Sequence, residues 1–179
     1  MNEELSSTDM NLQTAFGRIL SAENFGEVGN DIAEMIYEHG LKREIFEDLL
    51  KQHGVKTTEH IKHEILDLIL AYINLVLDDN FLTTAEADNV SFLKRFFKVK
   101  EGDFYSDKYY EVEKLLDRQF GHMYQNNKIN TDEALQKVEL QKLFDLGYDQ
   151  FLKLVDKAVK SALNRGANID ELDTYLKQL

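Results

Sequence analysis

Cysteine and proline are both absent from this 179-residue chain, and each absence closes something off. Without cysteine there is no disulfide, no thiolate zinc site and no cysteine nucleophile. Without proline no helix is broken by a residue that costs roughly 3 kcal/mol in a helix interior, which favours an all-α class. Long apolar runs are missing too. Asp67 and Asn74 interrupt the greasiest stretch, so its pieces fall well short of the roughly 20 residues that a bilayer crossing needs, and no membrane insertion is expected. Phosphate-cradling GxGxxG and Walker A loops are absent, as is GxSxG. A familiar nucleotide site and an activated serine are therefore not expected either.

Basic residues are outnumbered, 21 against 33 acidic ones, for a formal net charge of -12. A field of that sign repels a phosphate backbone, so no nucleic-acid partner is expected. The densest basic cluster, Lys94, Arg95, Lys98 and Lys100, is short and runs into Glu101 and Asp103. The first ten residues, MNEELSSTDM, are polar and acidic with no apolar core. They read as a flexible leader over 1–10 rather than a secretory signal, with a cytoplasmic location as the default. Residues 11–179 are the right length for a single domain.

What is present is a segment written twice. Aligned 47 positions apart, Asp79 meets Asn126, Asn80 meets Asn127, Leu82 meets Ile129, Thr84 meets Thr131, Glu86 meets Glu133, Leu93 meets Leu140 and Phe97 meets Phe144. This points to a duplicated helix-loop-helix unit, about 65–98 and 108–146, because a repeated unit buries its apolar face against its neighbours. Capping residues and glycine stops mark about nine helices in all. Gly40 and Gly54 end the second and third. The fourth, from Thr57 or Thr58 to about Asp79, is apolar on nearly every side through Ile65, Leu66, Leu68, Ile69 and Ile73 and should be buried at the centre of one compact bundle. Thr83-x-x-Glu86 and Asn130-x-x-Glu133 read as capping boxes opening the fifth and seventh helices. A sixth runs from Ser106 to about Gln125, an eighth from about Asp149 to Arg165, and a ninth from about Asn168 to the end.

Three groups of residues are candidates for chemistry. At the first repeat loop, Asp78, Asp79, Glu86 and Asp88 could offer oxygen ligands to a divalent cation such as calcium. The loop is no EF-hand, since Leu82, Thr83 and Asn89 stand where a ligand, the turn glycine and the bidentate acid belong. The competing reading makes Asn80 a left-handed helix stop and Glu86 a cap. Second, His60 and His63 lie with Glu59 and Glu64 within a turn and a half, a spacing that metals can exploit and that a solvated helix face also produces. Third, Phe104, Tyr105, Tyr109 and Tyr110, close to Phe96, Phe97 and the basic cluster, form an aromatic run that suits either packing or a surface gripping an acidic peptide.

The loop DDNFLTTAE, with its weakened copy QNNKINTDE, resembles the TerB-like tellurite-resistance domain, in which an apolar helix, a tight turn, a buried aliphatic, a Ser or Thr and a glutamate follow one another. The resemblance covers roughly residues 60 to 165. It implies an all-helical fold with two related halves and an acidic cluster falling on Asp79, Glu86 and Glu133, with Asn126 in place of the second-copy aspartate. It also implies a binding module associated with stress response rather than an enzyme. The expectation is a non-catalytic helical scaffold with a protein partner. A metal-dependent hydrolase using carboxylates with His60 or His63 in a helical bundle, and a purely structural oligomerisation module, are the alternatives.

Overall fold

The computed structural model describes residues 11–123 and 131–166, and among these it is all-helical, with nine α-helices and no strand. They are α1 (Leu12–Ala22), α2 (Gly26–His39), α3 (Arg43–Gln52), α4 (Lys62–Val76), α5 (Thr84–Phe97), α6 (Asp103–Asp107), α7 (Tyr109–Met123), α8 (Thr131–Leu143) and α9 (Tyr148–Asn164). The ninth helix expected from Asn168, and the second-copy loop at 124–130, lie outside the described residues. The chain divides into two compact units, Met1–Lys100 and Glu101–Leu179.

In the first unit, α4 is packed on by α1, α2 and α5. Nine of its 15 residues are buried, among them Leu66, Leu68, Ile69, Tyr72 and Ile73. A fully buried Leu, Ile or Phe side chain contributes about 1.5–3 kcal/mol relative to an exposed one, so this helix anchors the unit. Tyr72 stacks on Phe16 of α1 with ring centroids 6.2 Å apart. Phe46 of α3 meets Phe97 of α5 edge-on at 5.3 Å. The start of α4 differs from expectation. Thr57 makes no side-chain cap, and Thr58–Ile61 winds as a separate 3-10 turn before the α-helix proper begins at Lys62, a common device at helix entries. One ring nitrogen of His53 lies 2.7 Å from Asp31 Oδ2, tying the end of α3 to α2.

The second unit is built on α7, against which α6 and α9 pack. Phe120 meets Phe151 of α9 at 5.9 Å, and Phe104 meets Phe144 edge-on at 5.9 Å. The sixth helix of the sequence reading is two helices here, α6 and α7, separated by Lys108 at φ -133 and ψ 32. The stretch FYSDKYY across this break is rich in residues of modest helix propensity, so little is lost by a break there.

The 47-residue spacing reappears in the coordinates of each unit. Shifting Lys62–Val76 by it gives Tyr109–Met123, the bounds of α7, and shifting Thr84 gives Thr131, the first residue of α8. Six buried positions of α4, Ile65, Leu68, Ile69, Tyr72, Ile73 and Val76, correspond to Val112, Leu115, Leu116, Gln119, Phe120 and Met123, which are the buried positions of α7. An interhelical hydrogen bond recurs as well. Asn89 Nδ2 donates to the Tyr72 hydroxyl at 2.9 Å in the first unit, and Gln136 Nε2 donates to Gln119 Oε1 at 3.5 Å in the second.

The same holds where α5 and α8 stop. Lys98 and Asp145 both adopt the left-handed conformation, at φ 59 and φ 50. Each is followed by a residue whose N–H reaches back to the carbonyl five positions earlier, Val99 to Lys94 at 2.9 Å and Leu146 to Gln141 at 3.1 Å. This geometry satisfies carbonyls that a helix end leaves open, and glycine normally supplies it. Since the left-handed region costs a side-chain-bearing residue roughly 1–2 kcal/mol, partly offset by glycine's larger unfolded-state entropy, Lys98→Gly and Asp145→Gly should each raise stability by about 0.5–1 kcal/mol. Urea midpoints check this, and a loss of stability in either variant would mean that the backbone does not stop this way.

Candidate functional site

The first repeat loop is shaped by its own hydrogen bonds. Thr83 caps α5: its hydroxyl oxygen accepts from the Glu86 N–H at 3.2 Å, while Glu86 Oε2 accepts from the Thr83 N–H at 3.0 Å and the Thr83 hydroxyl at 2.9 Å. Glu86 is buried, so its carboxylate turns inward to the helix N-terminus, where the dipole favours an anion. Asn80 sits at φ 62, the left-handed stop foreseen for it. Asp79 Oδ1 accepts from the Phe81 N–H at 2.9 Å, a local turn, and Asp78 and Asp88 are exposed. Of the four acids proposed for a cation, then, one is engaged in a cap and another in a turn. Among the described residues no group of three or more His, Cys, Asp or Glu is arranged to hold a metal ion. Glu133, the second-copy acid, has no described side chain.

His60 and His63 are both exposed. Beside them Glu59 is paired with Lys62 at 3.3 Å and Lys100 at 3.4 Å. Hydrogen bonds from those two ammonium groups, Lys62 foremost, hold its carboxyl below the usual range. This is a solvated ion-pair face.

The aromatic run divides. Phe104 is fully buried and belongs to the core against Phe144, so it is not part of any surface, contrary to expectation. Its burial leaves a row of tyrosines. Tyr105 and Tyr109 meet edge-on at 5.2 Å, and Tyr109 and Tyr110 at 5.6 Å. Tyr109 donates its hydroxyl to Glu113 at 3.4 Å, and Glu113 accepts from Lys157 of α9 at 2.8 Å. Partial desolvation, then the nearby Glu113 charge, pushes the Tyr109 phenol above its ordinary range. Glu113 thus ties α7 to α9 with Tyr109 bonded to it, and Tyr110, 79% exposed, is the member open to a partner.

Phe96, placed by the sequence beside the basic cluster, belongs to a second aromatic surface. Arg43, in the first turn of α3, donates from Nη2 to the Phe96 carbonyl at 2.6 Å and stands 4.2 Å from the centre of the Phe96 ring. One turn before Phe96 on α5 stands Phe92, 51% exposed, with Arg95 4.7 Å from the centre of its ring. Phe92 and Phe96 share a face at i,i+4 spacing, so two guanidinium groups rest on two neighbouring rings. Arg43 also answers one of the carbonyls that α5 leaves open at its end. Sequence reasoning had Arg95 and Phe96 in hand but could not bring Arg43 to them from 53 positions away.

The second unit has an open cleft of about 570 Å³ where α9 begins, lined by Glu101, Asp145, Tyr148 and Asp149 among others. The Gly147 N–H at its edge is already taken by Gln150 Oε1 at 2.8 Å. No helix among the described residues is long and apolar enough to cross a membrane. Neither a protein-family model, nor a curated protein, nor a solved structure matches this chain.

Proposed function

We propose that this chain is a non-catalytic, TerB-like helical binding module that works in the cytoplasm by holding a protein partner, its two helix-loop-helix units descending from one duplicated ancestor. The observation that carries the binding role is a pair of rings at the surface of α5, the exposed Phe92 and the half-buried Phe96, each faced by an arginine. Arginine and aromatic residues are the types enriched at interface centres, where desolvation strengthens the contact between them. The duplication is supported by matching helix bounds, matching buried positions and the repeated hydrogen bond between α4 and α5 and between α7 and α8. A cation at the first loop would have to draw on Asp78 and Asp88, because Glu86 serves the cap.

The test is capture from native extract with the immobilised full chain, then reconstitution of the captured protein in purified form by calorimetry. A saturable one-to-one complex is expected. Failure of every captured protein to bind once purified, or turnover of a substrate by the chain alone, would overturn the proposal.

A further inference from the structure

The character of the partner can be taken one step further, on the assumption that the binding-module reading holds. We infer that the surface formed by Arg43, Phe92, Arg95 and Phe96, extended by the exposed Lys98, receives a short acidic segment of a partner protein in which apolar side chains alternate with carboxylates. Charge complementarity points this way. In a chain with 12 more acidic than basic residues, the exposed Lys51, Lys100, Lys142, Lys157 and Lys160 each sit beside a carboxylate, Lys51 with Asp48 at 2.9 Å and Lys160 with Asp156 at 2.6 Å among them. Arg43, Arg95 and Lys98 have no carboxylate partner among the described residues. Arg43 spends one donor on the Phe96 carbonyl, which is neutral, and keeps its full charge.

The two guanidinium planes over Phe96 and Phe92 leave donors suited to bidentate carboxylate contact, while the ring area between them offers apolar grip. A second copy of this chain is a poor occupant, because two bodies of net charge -12 repel. Long polyanions are disfavoured on the same ground. A short acidic segment feels mainly the local cations, since charges beyond about 8–10 Å are screened at physiological salt.

The probe is a fluorescein-labelled synthetic decapeptide alternating Glu with Phe and Leu, read by anisotropy against the full chain. Its Gln counterpart and a labelled oligothymidylate of equal charge serve as controls. Saturable binding of the Glu peptide is expected, at least tenfold weaker for the Gln peptide and the oligothymidylate. Arg95 and Phe92 are both exposed, so Arg95→Glu and Phe92→Ser should each weaken it about tenfold while the chain stays folded by circular dichroism, and Tyr110→Ser in the other unit should leave it unaltered. Equal affinity for the Gln peptide or the oligothymidylate, or no effect of Arg95→Glu, overturns the inference. A partner that reconstitutes in the capture experiment but binds the Arg95→Glu chain normally would remove this surface and leave the binding-module reading standing.

Discussion

Phe97→Ala and Phe144→Ala should each lower the stability of the chain by about 3–5 kcal/mol, the cost typical of emptying a buried aromatic site. Phe97 is 1% exposed and is met edge-on by Phe46 at 5.3 Å and by Phe96 at 5.1 Å. Phe144, its counterpart 47 positions on, is fully buried against Phe104. Each ring closes the gap between a helix that has just ended and the elements beneath it, so an alanine there leaves a hole that a rigid neighbourhood fills poorly. Phe92→Ala, on the same helix as Phe97 but half exposed, should cost less than about 0.5 kcal/mol. Urea unfolding of the three variants separates the cases. A Phe144 loss much smaller than the Phe97 loss would mean that the two positions do not do equivalent work.

The contrast among these phenylalanines also shows what could be read before any coordinates. The class followed from the missing proline and the strength of the caps, and the buried face of α4 from its unbroken run of Ile and Leu. Asn80 as a left-handed stop and the capping role of Glu86 came from local chemistry alone, because a cap involves residues three apart. On α8 hydropathy and burial part company: Leu135 and Val138 are 61% and 40% exposed, while Gln136 and Lys137 are buried. The repeat itself held the better answer, since Gln136 and Lys137 align with Asn89 and Val90, which face α4 in the first unit. Phe104 was misplaced for a related reason: aromatic residues in a run look alike, and only the packing against Phe144 singles one out. The Arg43 and Phe96 contact was beyond reach because nothing local links α3 to the end of α5.

Glu86 provides the sharpest test of how the first loop is used. Glu86→Ala should cost about 1–2 kcal/mol, because it removes the acceptor for the part-buried Thr83 N–H and breaks the capping box. Loss of the carboxylate also relieves the desolvation of a charge that is only 4% exposed, which keeps the figure at the lower end of what a stranded donor costs. Glu86→Gln retains an oxygen for the Thr83 N–H at 3.0 Å and should cost less than about 1 kcal/mol, as a neutral acceptor makes a weaker bond than a charged one. The two roles once open to this side chain then diverge under one added reagent. If Glu86 holds the cap, the Glu86→Ala deficit in melting temperature is the same in millimolar calcium as in excess chelator. If instead the native chain melts higher in calcium and the variant does not, the carboxylate is a cation ligand and the capping bonds are what it gives up on binding. The Asp79 bond to the Phe81 N–H at 2.9 Å favours the first outcome, for it engages one oxygen of a second candidate ligand in a local turn.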